Sequence, residues 1–246
     1  MTGKALPPQS SGETYEPGSV ARRSVAAAPG VTPSSPIERR NDLLETSSPL
    51  TSDDKALFAY FGVNAKILPP LRILNQQNIV IGDFTAICEG CHMNAFRDLS
   101  FVRDYVAEEC QDDFKIEDYL YDAHIVIERE RQIGRFAFMS CTDRIHIEHN
   151  VVLSERVFIG DNNHSFSHPD VPIVQQANKR GKPVVIGTGS WIGVGAAILS
   201  GVVLGQNTVV GANSIVHEGE YPSHCVIGLP SAVVRFRRHH ISETSW

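Results

Sequence analysis

Three stretches of the 246-residue chain place chemically able residues at suggestive spacing. The first is "FIGDNNHSFSHPDVPIVQQ", Phe158 to Gln176, where His164 and His168 stand among Asn, Asp and Ser. Imidazole gains or loses its proton near neutral pH, so either ring offers an acid or a base. The second is "CEGCH", Cys88 to His92, with the C-x-x-C-H spacing of a haem attachment site. The third, "VIGTGSWIGVGAAILSGVVLGQNTVVGANSIV", Val185 to Val216, is glycine-rich enough to suggest a loop that cradles phosphate.

The third stretch decides the frame for the other two. A dinucleotide loop needs G-x-G-x-x-G between one strand and one long helix. Here Gly187 and Gly189 are followed by Ile192 at the third glycine position, and no helical period succeeds them. What recurs is a period of six: Ile186, Ile192, Ile198, Leu204, Val210 and Val216. Glycine follows four of these, at Gly187, Gly193, Gly205 and Gly211. The fifth position of each unit is small or β-branched: Ser190, Ala196, Val202, Thr208 and Ser214. This is the pattern of a parallel β-helix of hexapeptides. The aliphatic residue points inward, glycine marks a tight turn, and a small residue fills the crowded inner corner. Three hexapeptides make a coil of eighteen residues, which stacks Ile186 on Leu204 and Ile192 on Val210.

The same register recurs upstream in Ile147, Leu153 and Ile159, in Ile127, Ile133 and Met139, and in Ile81, Ile87 and Met93. Cys91 then occupies the small slot after Ile87, which explains "CEGCH" as part of a coil rather than as a haem or metal site. Residues 1–48, rich in Pro, Ser, Gly and Ala, read as a disordered tail. Residues 49–70 read as a short helical lead-in, because Thr51 and Asp54 have the spacing of a capping box. The β-helix is expected over 71–238, with insertions at 97–123 and 161–183, and a C-terminal tail over 239–246. Insertions in a solenoid project as loops from one face, often the functional one.

Bulk composition narrows the partners. A net charge of −6 argues against a general nucleic-acid or anionic-membrane binder. No apolar run is long enough to span a bilayer, and the run after "ARR" is too short for a signal peptide. Five scattered cysteines do not read as a disulfide framework, so the cytoplasm is the expected compartment.

Several motifs in register carry a family resemblance. They are Asp161-Asn162-Asn163-His164, Pro172-Ile173 with Gln175, Trp191-Ile192-Gly193, Gly201-Val202, Gly211-Ala212-Asn213-Ser214-Ile215-Val216, and Gly228-Leu229-Pro230-Ser231-Ala232. Over residues 145–238, and more loosely over 65–95, the chain resembles the hexapeptide-repeat O-acetyltransferases that modify maltose, galactosides and polysaccharides. The resemblance implies a mainly β fold, the left-handed parallel β-helix. It also implies acetyl-CoA as acyl donor, no metal, and a homotrimer with active sites between subunits. His164 matches the family's general base, and Asn163 beside it is a candidate for stabilising the oxyanion. Trp191 matches a residue that packs on the pantetheine arm, while Gly193, Gly211 and Ala212 would let that arm approach the backbone. Arg235 matches a position near the CoA phosphates, with Arg237 and Arg238 as candidate assistants. His168 is a second imidazole without a motif match.

The chain also departs from the family. His217-Glu218 replaces the basic residue usual after the "SIV" motif, Phe136 stands near the place of an acceptor-holding Asn, and residues 97–123 match nothing in it. The acceptor is therefore read no more narrowly than a sugar or glycan hydroxyl, with an amino-sugar nucleotide left open. Two other readings use the same solenoid. A zinc hydrase of the gamma carbonic anhydrase kind needs three converging imidazoles with a coordination position open to water, for which His124, His146, His149, His164 and His168 are available. A non-catalytic scaffold subunit would need none of these residues.

Overall fold

A computed structural model of the chain describes residues 43–97, 121–166, 169–170, 172–173, 178–228 and 233–237. The six-residue period becomes a parallel β-helix with three faces, each one long sheet of short strands. Face I runs from Tyr60–Phe61 through Ile79–Ile81, His124–Ile127, Arg144–Ile147, Val184–Ile186 and Val202–Leu204 to Gly219–Tyr221. Face II contains Lys66–Ile67, Ala86–Ile87, Gln132–Ile133, Val152–Leu153, Trp191–Ile192, Val209–Val210 and Cys225–Gly228. Face III contains Leu71–Leu74, His92–Ala95, Phe138–Cys141, Phe158–Gly160, Ala197–Ile198 and Ile215–Val216.

The expected stacking holds in every coil. On face I, Ile81, Ile127, Ile147, Ile186 and Leu204 lie in register, one per coil. Ile87, Ile133, Leu153, Ile192 and Val210 do so on face II, and Met93, Met139, Ile159, Ile198 and Val216 on face III. All are buried, and the small fifth-position residues close the interior at the corners. The three columns form one continuous apolar core in a fold whose backbone polar groups pair with the coils above and below.

The role of the repeating glycine differs from the expectation. The left-handed backbone of each turn falls three residues after the inward aliphatic, at Phe136, Arg156, Gly195 and Asn213 on one edge. The glycine directly after the aliphatic serves close packing instead. A Cβ on Gly193 would lie 2.6 Å from the amide nitrogen of Ala212 and 2.8 Å from the carbonyl oxygen of Val210 in the next coil. Backbone atoms of a stacked coil cannot move aside singly, so the side chain has to be absent.

The ends also differ in detail. The capping box forms, with Thr51 Oγ1 accepting from Asp54 N at 3.2 Å and Thr51 N donating to Asp54 Oδ2 at 2.8 Å. The helix is only Ser52–Ala56, and the solenoid already begins at Tyr60, because Phe61 and Ile67 stack under Ile81 and Ile87. Leu43–Thr46 adds an antiparallel strand to Leu71–Leu74 at the edge of face III. The remainder of the expected tail, most of the 97–123 insertion and residues 239–246 lie outside the described residues. Among the described residues no helix is long and apolar enough to cross a membrane.

The close approach at Gly193 makes a prediction that separates packing from ligand binding. Gly193→Ala should lower the unfolding free energy by about 1–3 kcal/mol. Gly211→Ala, where an added Cβ finds no neighbour closer than 3.4 Å, should cost under about 1 kcal/mol. Urea denaturation of the two variants beside the parent protein measures both.

Candidate functional site

Both interruptions of the repeat leave face III and return to face I, and so open on the same edge of the prism. The first follows His92–Ala95 and re-enters at His124–Ile127; the second follows Phe158–Gly160 and re-enters at Val184–Ile186. The second loop is tied down by Asp161, the residue at which it departs. Asp161 is fully buried, and its carboxylate accepts from the backbone amides of Thr142 and Asp143, both at 2.7 Å. It also accepts from Thr142 Oγ1 at 3.0 Å, Asn162 Nδ2 at 3.1 Å and Cys141 Sγ at 3.3 Å. A buried charge is tolerated only when its lone pairs are filled in this way. The Cys141 thiol bears the local cost: burial, and then the adjacent Asp161 carboxylate, push it far above the ordinary thiol range.

Asn162 continues the anchor by donating to the Ser140 carbonyl at 2.9 Å. Asn163 and His164 follow as a two-residue strand, exposed and paired antiparallel with Asn178–Lys179. The returning limb is fastened at three successive residues. Arg180 Nη2 donates to Asp143 Oδ1 at 2.9 Å, and this bond raises the guanidinium pKa further. Gly181 N donates to Thr142 Oγ1 at 3.0 Å, and a Cβ there would overlap the Asp161 carbonyl oxygen at 1.1 Å. Lys182 N donates to Ser200 Oγ at 2.9 Å, while Lys182 Nζ pairs with Glu218. Between this loop and the coils lies a groove of about 470 Å³, lined by Asn163, His164, Phe166, Arg180, Lys182, Leu199, His217 and Glu218 among others. An imidazole and an amide side by side on such a wall present a proton acceptor and a hydrogen-bond donor to a ligand in the groove.

The residues expected to hold the acyl donor lie elsewhere in the chain. Trp191 is on face II, 52% exposed, with Nε1 donating to Ser154 Oγ at 3.0 Å. Gly193, Gly211 and Ala212 form turns on the edge between faces II and III. Arg235 is the extra residue at a register shift in Val233–Arg237, a strand antiparallel to Cys225–Gly228. Face III, with Phe138 and Phe158 in contact at 5.7 Å between ring centroids, separates this donor edge from the His164 edge. A single copy therefore does not unite His164 and Asn163 with Trp191 and the turn glycines. Gly193 is accounted for by coil packing, whereas Gly211 is not so crowded.

The third edge, between faces I and II, collects other histidines. His146 Nε2 lies 2.9 Å from Glu128 Oε1 and His149 Nδ1 lies 3.4 Å from Glu128 Oε2. The buried Arg131 guanidinium stands 3.5 Å from the same carboxylate. Burial holds the pKa of Arg131 down to about 10, against the pull of Glu128. No cluster of three or more His, Cys, Asp or Glu suited to a metal ion occurs among the described residues. Cys91 donates to the Gly134 carbonyl at 3.2 Å inside the coil, and burial raises its thiol to about 11. His92 packs edge-on against Phe138 with centroids 6.1 Å apart. The coil thus accounts for both Cys91 and His92. His168 and Arg238 lie outside the described residues.

No protein-family model matches the chain, and no curated protein matches its sequence. Solved structures do match its architecture. AntD, an N-acyltransferase from Bacillus cereus, aligns in its complex with dTDP and 3-hydroxybutyryl-CoA at a TM-score of 0.59 and 18% identity, over 79% of this chain and 92% of that one. Its fold is the fold of these acyltransferases. A point mutant of AntD, in complex with dTDP-4-amino-4,6-dideoxyglucose and coenzyme A, gives a TM-score of 0.59 at 17% identity over 78% of this chain and 91% of that one. VCA0836 from Vibrio cholerae O1 biovar eltor, a hexapeptide-repeat acetyltransferase complexed with acetyl-CoA, aligns with a TM-score of 0.45 at 22% identity, over 74% of this chain and 73% of that one.

His164 and Asn163 stand in a projecting loop, as their sequence pattern predicts, whereas the residues that hold that loop have no such signal. Asp161, Gly181 and Arg180 carry no periodic signal, since their partners Thr142 and Asp143 come from the preceding coil. Asp161→Asn puts an NH₂ donor among donors. It should cost about 2 kcal/mol of stability and speed proteolytic cleavage within 161–183. The exposed Asp170→Asn serves as control. Urea denaturation and limited proteolysis read the two effects.

Proposed function

We propose that the protein is an acetyl-CoA-dependent acyltransferase that acetylates a hydroxyl of a sugar or glycan acceptor, with each active site shared between neighbouring copies in a homotrimer. The observation that carries this reading is the division of the site. His164 and Asn163 border a groove of about 470 Å³ on one edge, while the exposed Trp191 and the Gly211-Ala212 turn lie by another. A neighbouring copy related by rotation about an axis along the solenoid would bring the first edge of one chain to the second edge of the next. Acyl-CoA and sugar nucleotides occupy AntD, which has the same fold, and that supports the class of donor and acceptor.

In this reading neutral His164 accepts the proton of the acceptor hydroxyl as its oxygen attacks the thioester carbonyl. The carbonyl electron pair moves to oxygen, and the Asn163 amide donates a hydrogen bond to the resulting oxyanion. Collapse re-forms the carbonyl and breaks the carbon–sulfur bond, and the departing CoA thiolate takes the proton from the imidazolium. Trp191 packs on the pantetheine arm, and Arg235 is the candidate partner of the phosphates. The AntD complex with an amino sugar favours a second reading, transfer to an amine; the histidine would then take the proton from nitrogen in place of oxygen.

Calorimetric titration of acetyl-CoA tests the donor side. Micromolar binding, weakened about tenfold by Trp191→Ala, is expected; no binding to the parent protein overturns the proposal. His164→Ala should lower kcat by about 10²–10⁴. Joint refolding of His164→Ala and Trp191→Ala chains, assayed at acetyl-CoA concentrations well below the parent Kd where each variant alone is weakly active, should raise the activity to about a quarter of the parent's, because one random interface in four would pair two intact halves. No recovery places both halves of the site in one chain.

A further inference from the structure

Coil packing leaves one residue on the edge between faces II and III unexplained. The position directly after the inward aliphatic of face II is glycine at 134, 193 and 211. Gly134 and Gly193 are held to glycine by the coil above. An added Cβ would lie 2.5 Å from the carbonyl carbon of Ser154 in the first case and 2.6 Å from the amide nitrogen of Ala212 in the second. In the coil between them the same position is Ser154. Its hydroxyl oxygen accepts from Trp191 Nε1 at 3.0 Å.

Trp191 stands opposite Val152 in the register of face II and reaches Ser154, two residues further along that lower coil. The indole is thereby drawn down from its own coil and toward the edge that carries the Gly211-Ala212 turn. Half of the residue stays open to solvent. Water is available there as a partner for the N–H, so the bond to Ser154 adds little net strength of its own. What it changes is freedom: two side-chain torsions that would otherwise sample several wells are confined to one.

We infer that Ser154 is a positioning residue, which fixes the Trp191 indole in one orientation and so prepares it to receive the pantetheine arm of the acyl donor. The inference rests on the acyl-transfer reading above, in which Trp191 packs on that arm. A ring already fixed in its bound orientation loses no rotamer freedom when the ligand arrives, and the difference appears as affinity. The effect of Ser154 passes through Trp191, which separates it from a residue that contacts the donor directly.

The test uses the full-length chain with Trp246→Phe, which leaves Trp191 as the sole tryptophan. Time-resolved fluorescence anisotropy reports the indole's own rotation, and calorimetry on the same samples reports acetyl-CoA binding. With Ser154 intact the indole should turn only with the whole protein. Ser154→Ala should add a fast depolarisation and weaken acetyl-CoA binding about fivefold. Ser154→Gly, which gives this coil the residue its neighbours carry, should do the same. Ser154→Thr, which keeps the hydroxyl, should do neither. In a Trp191→Ala chain, Ser154→Ala should bring no further loss of affinity, because the two residues act as a unit. The inference is overturned if Ser154→Ala leaves the indole as rigid as before, if the freed indole binds acetyl-CoA as tightly as the parent, or if the loss persists without Trp191. Binding by the parent with no effect of Ser154 sinks this inference and leaves acyl transfer standing. No binding by the parent sinks acyl transfer and the donor role of the indole together, while the anisotropy still decides whether Ser154 holds the ring.

Discussion

The structure depends on one constraint: successive coils must stack closely enough for their backbones to hydrogen-bond along all three faces, about 4.8 Å apart. Everything inward of that spacing is regular by necessity. Each coil supplies one aliphatic side chain per face, and each lands on its equivalent in the next coil, as Ile147 lands on Ile186 and Leu153 on Ile192. Where two coils approach closely, as at Gly193 against Ala212, even a methyl group is excluded. A solenoid under such a constraint has no interior space for a site, so chemistry is confined to its edges and outer faces.

The three edges have diverged accordingly. The edge between faces II and III keeps short turns and presents Gly211 and Ala212 next to the exposed Trp191. The edge between faces I and II binds its charges to one another, with Glu128 shared among His146, His149 and Arg131. Among the described residues the edge between faces III and I is the one at which the repeat is interrupted at length, and a groove lies there beside the exposed His164. Its stability comes from a buried carboxylate: Asp161 joins the departing strand to the Thr142–Asp143 turn, and Arg180 and Gly181 bring the returning strand to the same turn. The loop that carries His164 is thus built on the coil below it, and its two limbs share one anchor.

Charge in the groove follows the same arrangement. Arg180 serves the anchor and Lys182 the adjacent coil, so neither cation stands free. Two cations of the sequence motif "NKRGK", Arg180 and Lys182, are in this way each matched by an acid.

Much of this was legible in the chain. The six-residue recurrence from Ile81 to Val216 determined the fold, the stacking partners and the two places where the rhythm breaks, because an inward column tolerates no irregularity and so writes itself into the sequence. It also explained "CEGCH" as a coil segment. The same logic extends to Phe61 and Ile67, whose strands the expected helical lead-in had covered. Motifs matched to a family singled out His164 and Trp191. Only tertiary structure decided that these two residues occupy different edges, that both insertions open on one edge, and that Asp161, Arg180 and Glu218 have the partners they do. The reason is physical: column positions are set by local period, whereas edge contacts join residues from different coils, whose separation in sequence depends on the lengths of the loops between them.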